Sequence, residues 1–406
     1  MISIEDIRSL FPQLQEKVYG KQLVYLDNAA TSLRPSAVLD KWNEMSVQKN
    51  SNLHRAVHHM AAVATEEYEN TREFVRQYIN ASSAKEIIFT SGATASINLV
   101  AYSFSEAFVK EGDNILVTEC EHHSDLVPWQ QICLRKKAEL RKISVLDNGE
   151  LDLESLEGLI DDKTRLVCAA HISNVLGIIN PVRSIVEICH SHGVPVLIDG
   201  AQGVVHCPVD VKEMGCDFYV FSGHKVYAAT GTGVLYGRQE LLEQMPPFLL
   251  GGEMIGTVKW SGSTWAPLPQ KFEAGTQNIS GTPTLKPALY LAKDLIYNGL
   301  ELDNIKSYIL SELSSDHRIK LFGTPKKESD KIPLFSFCVE GAHHEDLALI
   351  LDKMGIAVRS GQMCAEPLMD RFGVTGMVRA SFAPYNTMQE AEYFIKSLNR
   401  AINMLV

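Results

Sequence analysis

Residues 194–202 and 218–225 read VPVLIDGAQ and FYVFSGHK. Each is a short run of apolar, β-branched or aromatic side chains that stops at a polar turn, with Asp199 ending the first and Lys225 closing the second. A run of strand length without polar alternation reads as a strand buried on both faces, the kind found in a parallel sheet covered by helices. Working outward, EIIFT at 86–90, NILVT at 114–118, RLVCAA at 165–170 and GVLYG at 233–237 have the same character, and stretches with helical spacing separate them. The alternation predicts an α/β fold with a mostly parallel sheet. Polar clusters follow most of these runs: SGAT at 91–94, EHH at 121–123, SN at 173–174, DGAQ at 199–202 and SGHK at 222–225. Ligands of open α/β sheets bind beyond the carboxyl ends of the strands, so the clusters are expected to converge on one crevice.

Composition narrows the class. The 406 residues are 45% hydrophobic, enough to bury one large core and a smaller one. The 38 Lys and Arg against 49 Asp and Glu give a net charge of -11, spread along the chain, which argues against nucleic acid and anionic membrane as partners. The opening residues, MISIEDIRSLFPQLQEK, do not read as a secretory signal, and no apolar run reaches bilayer-spanning length, so a cytoplasmic protein is expected. Eight cysteines form no C-x-x-C pair and no zinc-type spacing, which fits reduced thiols and no metal site. Cys168, Cys189 and Cys338 lie in apolar runs and read as small buried hydrophobes. Cys364, in the polar, glycine-containing stretch SGQMCAEP, stands apart, and composition leaves its reactivity open.

Residues 246–283 are rich in Gly, Pro, Ser and Trp and read as long loops or hairpins. Helical spacing then returns, and IPLFSFCVE and GIAVRS read as strands of a smaller α+β unit. The expected division is a large domain over 22–290 and a small one built from 1–21 and 291–406, the latter carrying the Cys364 loop.

Three features point to chemistry. SGAT is a glycine-containing turn between a strand and a helix, where free N–H groups, the helix dipole and the Thr94 hydroxyl suit a phosphate; an ordinary capped turn reads the same way. Asp199 puts a carboxylate at the end of a buried strand, where it needs a helix N-terminus or a cation such as a protonated pyridine nitrogen. Lys225 ends another such strand, where desolvation lowers an amine's pKa towards that of a nucleophile able to form a Schiff base. Ser222 and His224 flank it, and continued strand geometry would put alternate side chains of this stretch on one face.

SNVLG, DGAQ, FSGHK, FEAGT and RSGQMCAEPL, in this order and spacing and together with EHH and VRASFAPYNT, resemble the class V aminotransferase family of pyridoxal-phosphate enzymes. Within it they look like the SufS-type, or group II, cysteine desulfurases. The resemblance covers essentially the whole chain and implies fold type I of the pyridoxal-phosphate transferases, with a mostly parallel seven-stranded sheet in the large domain. It makes Lys225 the lysine that carries the cofactor and Asp199 the partner of the pyridine nitrogen. Gln202 would contact the phenolic oxygen, Thr94, Ser222 and His224 the phosphate, and His122 the ring face, where it would also move protons. Thr276 would reach the phosphate from a second subunit, which implies a homodimer. Asn174 and Arg379 look like the carboxylate-binding pair for L-cysteine, and Asn174 also touches the cofactor. Arg359 resembles a residue that orients substrate or persulfide, and His54 and Arg55 match a mobile segment at the entrance.

The implied reaction converts L-cysteine to L-alanine, with the sulfur held as a persulfide on Cys364 and passed to an acceptor protein of the SufE or SufU type, for iron–sulfur cluster assembly. Arg359 and His122 would together lower the pKa of the thiol. A selenocysteine lyase or another enzyme of this family would need the same groups, whereas an inactive dimeric binding scaffold would lack the lysine or the aspartate. The chain departs from the family where Ala228-Ala229 replaces the usual Gly-Pro after the lysine, although Gly231 and Gly233 remain. Gln362-Met363 before the thiol is also a variable pair.

Overall fold

The computed structural model describes residues 3–298 and 300–406; positions 1, 2 and 299 of the expected domains lie outside them. Seven strands form the main sheet: β1 (Ile87–Thr90), β2 (Asn114–Thr118), β3 (Glu139–Ile143), β4 (Thr164–Ala170), β5 (Val196–Asp199), β6 (Phe218–Ser222) and β7 (Gly233–Gly237). Their order is β1-β7-β6-β5-β4-β2-β3, and β7 alone runs against its neighbours, β1 and β6. Successive strand side chains point to opposite faces, and here the two sets enter separate apolar cores. Phe218 and Val220 of β6 pack with Leu197 and Leu235 on one face, while Tyr219 and Phe221 pack with Ile198 and Val234 on the other. The uninterrupted apolar runs are therefore the result of burial on both faces. The strand that sequence missed, β3, reads ELRKI and is mostly solvated at the sheet edge, so it carries no such run.

Gly233 is required by this packing. A Cβ there would lie 2.4 Å from the Gly92 Cα, closer than real side chains approach, so the end of β7 lies directly against the turn that opens the helix Ala93–Phe108.

Residues 246–283 contain a hairpin, Ile255–Lys259 with Gly262–Trp265, and short turns. Beyond them an antiparallel four-stranded sheet forms from β8 (Ile319–Phe322), β9 (Leu334–Val339), β10 (Arg359–Gly361) and β11 (Met377–Ser381), in the order β8-β9-β11-β10. GIAVRS, read as one strand, is split: Ile356–Ala357 pairs in parallel with Val24–Tyr25, and only Arg359 onward joins β11. Val24 and Leu26 lie in the core with Phe335 and Phe337, and Asp27 bridges to Ser381 at the end of β11. The N-terminal segment bridges the two layers, with Arg8 ion-paired to Glu390 at 2.8 Å and the Phe11 ring packed on both Tyr227 and Tyr385. Among the described residues no helix is long and apolar enough to cross a membrane.

Candidate active site

A pocket of about 450 Å³ opens where β5, β6 and the helix Ala93–Phe108 meet the edge of the small sheet. It is lined by Thr94, His122, Asn174, Asp199, Ser222, His224, Lys225, Arg359, Cys364 and Arg379, so ten of the expected site residues do converge. Asp199 is the last residue of β5, buried, with Oδ1 accepting the Ala201 N–H at 2.9 Å. Burial raises its pKa, opposed by the Lys225 charge. Burial conversely lowers that of Lys225, opposed by Asp199. The condition for alternate side chains to share a face is not met, because β6 stops at Ser222 and a tight turn, Gly223–Lys225, turns the lysine into the pocket.

The residues at the other end suit a phosphate. The N–H of Ala93, at the start of its helix, donates to Ser222 Oγ at 2.8 Å, and the Thr94 and Ser124 hydroxyls meet at 2.7 Å. His224 faces Thr31 Oγ1 at 3.3 Å and is held neutral, its pKa lowered to about 4 by burial and by Lys225. A helix start, hydroxyls and a ring nitrogen around a lysine and a carboxylate fit pyridoxal phosphate: anion at one end, amine and acid at the other.

His122 Nδ1 accepts the Ser124 N–H at 3.0 Å. Burial, then the Lys225 charge, lowers its pKa to about 4. The ring is therefore neutral near pH 7 and lends no positive charge to the thiol, which corrects that expectation.

The arginine side of the pocket is built around a residue the sequence reading missed. Asp27 takes Arg379 Nη2 at 3.3 Å and Arg359 Nη2 at 3.1 Å. Arg379 Nη1 donates to the Asn174 carbonyl at 2.7 Å, while its Nε is buried without a partner among the described residues. Burial lowers the Arg379 pKa to about 10. An unpaired guanidinium donor beside the pocket is what an anionic ligand would satisfy. The signal for Asp27 was present: LVYL at 23–26 ends in DNAAT, the same apolar run followed by a polar turn.

Cys364 is the one exposed cysteine among the eight; Cys168 and Cys189 are buried, as their apolar runs implied, whereas Cys338 is only half-buried. The Cys364 carbonyl accepts the His123 N–H at 2.7 Å, and Asn174 Nδ2 donates to the Met363 carbonyl at 2.8 Å.

Other expected residues lie elsewhere. Gln202 is buried behind the wall, its Nε2 donating to the Ala29 carbonyl at 2.7 Å. Thr276 lines a separate pocket with Phe89, Leu249 and Asn278. His54 and Arg55 stand outside the pocket near Glu69 and Glu253, at 3.6 and 3.2 Å.

Behind Asp199 lies a second missed feature. Glu121 Oε1 accepts from the Ala170 N–H at 2.7 Å, and Asp125 Oδ1 from Trp129 Nε1 at 2.8 Å. Their other oxygens, Glu121 Oε2 and Asp125 Oδ2, are buried with no hydrogen-bond partner among the described residues, and the two carboxyls are near enough for each to shift the other's titration, an arrangement a shared proton would satisfy. Burial raises both pKa values, that of Glu121 to about 7, and Asp199 adds to the effect.

Comparison with known proteins agrees with this geometry. The model of the family described as Aminotransferase class-V matches residues 24–394. A probable cysteine desulfurase of Vibrio cholerae is 43% identical over 407 residues, covering 100% of both chains. A cysteine desulfurase of Escherichia coli O127:H6 is 44% identical, with 99% of each chain covered. Among solved structures, the cysteine desulfurase CsdA of Escherichia coli, in an S-sulfonic acid form, superposes with a TM-score of 0.91 at 37% identity, covering 100% of both chains. An apo cysteine desulfurase of Thermococcus onnurineus gives 0.91 at 35% identity over 97% of this chain and 99% of its own. The matched length and the lysine, carboxylate and anion-binding end of the pocket together place the chain in the class-V aminotransferase family, as a pyridoxal-phosphate-dependent enzyme.

Proposed function

We propose that this enzyme is a SufS-type cysteine desulfurase that takes the sulfur of L-cysteine onto Cys364. The observation that carries the reading is an exposed thiol on the wall of the pocket that also holds Lys225, Asp199 and Arg379. Desulfurase relatives that match the full chain support it.

In this reading Thr94, Ser222, His224 and the N–H groups at the start of the helix Ala93–Phe108 would hold the phosphate, and Asp199 would hold the pyridine nitrogen. Bound there, pyridoxal phosphate supplies an electron sink for the bonds at Cα of an amino acid. Arg379 takes the substrate carboxylate, its free Nε giving the first hydrogen bond. The depressed pKa of Lys225 leaves its Nζ able to accept the Cα proton. The Cys364 thiolate attacks the substrate sulfur: an S–S bond forms, the Cβ–S bond breaks, and Cβ gains a proton to give alanine. His122, neutral and beside Lys225, is placed to relay protons without adding charge.

Thr276, outside this pocket, would reach the phosphate of a second copy, so a homodimer is part of the proposal. An acceptor protein of the SufE or SufU type then removes the sulfur, in the cytoplasm, for iron–sulfur cluster assembly. The test incubates the enzyme with L-cysteine and measures alanine and protein-bound persulfide together. Equal early yields that both vanish in Cys364→Ser are expected; undiminished alanine from that variant overturns the thiol's role and favours a selenocysteine lyase.

A further inference from the structure

Met363 and Cys364 both have left-handed backbone conformations, with φ of 54° and 56°. Such backbone is unfavourable for side chains with a Cβ, and two in succession persist only where neighbouring groups hold them. Asn174 Nδ2 holds the Met363 carbonyl at 2.8 Å, and His123 holds Cys364 and the chain after it. The His123 N–H donates to the Cys364 carbonyl at 2.7 Å, and its ring Nε2 accepts the Glu366 N–H at 3.1 Å. His123 thus grips the chain on both sides of Ala365, a buried residue. Gln362 Nε2 also reaches Glu366 Oε1 at 3.0 Å; that bond and the His123 ring bond are both exposed, but only the latter ties the loop to another part of the chain, the segment after β2. His122, one residue earlier, has its ring nitrogen engaged with Ser124 instead, so the two adjacent histidines serve different elements.

We propose that His123 is a positioning residue for the Cys364 thiol: its amide and ring together hold the Met363–Cys364 turn in the conformation that keeps the thiol on the pocket wall. This rests on the reading that Cys364 receives the sulfur. An accepting Nε2 requires a neutral ring with its proton on Nδ1, so an aromatic ring without the lone pair cannot replace it. A side-chain carbonyl at similar reach can.

The test compares His123→Phe, which keeps a flat ring of similar bulk without an acceptor, with His123→Gln, which restores one. Each holoenzyme is first checked for bound cofactor by its visible absorption. Alkylation of Cys364 by a bulky maleimide is then timed without substrate, with Cys364→Ser as the blank, and kcat and KM are measured for alanine release from L-cysteine. His123→Phe is expected to raise the alkylation rate about tenfold and lower kcat about tenfold with KM little changed, the scale of one lost hydrogen bond. His123→Gln is expected to return both towards the parent. A parent-like Phe variant beside an impaired Gln variant would show that the ring only fills space, and unchanged rates in both would likewise overturn the proposal. The alkylation measurement needs no turnover, so it remains decisive if Cys364→Ser still forms protein-bound persulfide, the result that would sink the proposed function instead.

Discussion

Asp199 ends a strand buried on both faces and Lys225 closes the tight turn after another, whereas Arg359 and Cys364 ride on β10, the edge of the small sheet, and the loop after it. The floor of the pocket is desolvated, and burial shifts the groups there, Asp199 upward and Lys225 and His122 downward, while the Asp199 and Lys225 charges oppose each other's shifts. On the lip, Arg359 is 47% exposed and Cys364 is exposed, and hydrogen bonds to backbone rather than burial fix the geometry. The difference suits the proposed division of labour. A cofactor and its proton-carrying lysine need a fixed field in a water-poor site. A thiol that must surrender its sulfur to another protein needs access.

The sharpest way to break this comparison is Lys225→Ala. Its amine is proposed to move the Cα proton, so kcat should fall by about 10²–10⁴-fold or more, and the visible band of lysine-linked cofactor should disappear while the protein stays folded. Retention of that band after dialysis against hydroxylamine would count against the floor assignment.

The two arginines on Asp27 test floor against lip directly. Arg379→Ala strips a buried cation from Asp27 and the Asn174 carbonyl, with an expected effect of about 3–5 kcal/mol on substrate binding and stability combined. Arg359→Ala removes a half-exposed pair to the same carboxylate and should change KM by only a few fold, on the order of 1 kcal/mol or less. Steady-state kinetics and urea unfolding separate the two, and equal effects would remove the distinction.

A smaller effect concerns Glu121 and Asp125. Acids whose pKa is raised by folding bind protons more tightly when folded, so their contribution is greatest at low pH. It declines as pH rises from the ordinary carboxylate range near 4 towards about 7, where Glu121 titrates. Asp125→Asn supplies a permanent donor to Glu121 and keeps an oxygen for Trp129. The variant should unfold at higher urea than the parent at pH 8, by on the order of 1 kcal/mol, with a smaller gap at pH 6. A constant gap would argue against a shared proton.

Smallest is Ala229→Pro. The Ala229 N–H donates to Thr284 Oγ1 at 3.1 Å, a bond proline cannot make. Its loss, about 1 kcal/mol, is partly offset by the stiffer unfolded chain, so thermal unfolding should shift by no more than a few degrees. This also shows what the Ala228-Ala229 departure does here: it adds a backbone donor to the turn after the lysine while Gly231, at φ 74°, keeps its path.

The sequence by itself determined the strands buried on both faces, because two cores on either side of one sheet leave no room for polar alternation. It likewise marked Asp199, Ser222 and Lys225, since a charged or polar group closing such a run must serve a turn or a ligand. Edge strand β3 escaped notice because solvent on its sides erases the pattern. Tertiary structure alone decided the rest. Asp27 becomes central only when the chain after Leu26 is brought against β11 by the pairing of Val24–Tyr25 with Ile356–Ala357, which lie far apart in sequence. Gln202 lies behind the wall, and Thr276 lies outside the pocket, because their positions follow from packing rather than from local pattern. The neutral state of His122 and the raised pKa values of Glu121 and Asp125 depend on burial and on charges from other parts of the chain, and a side chain's field is set by its neighbours in space.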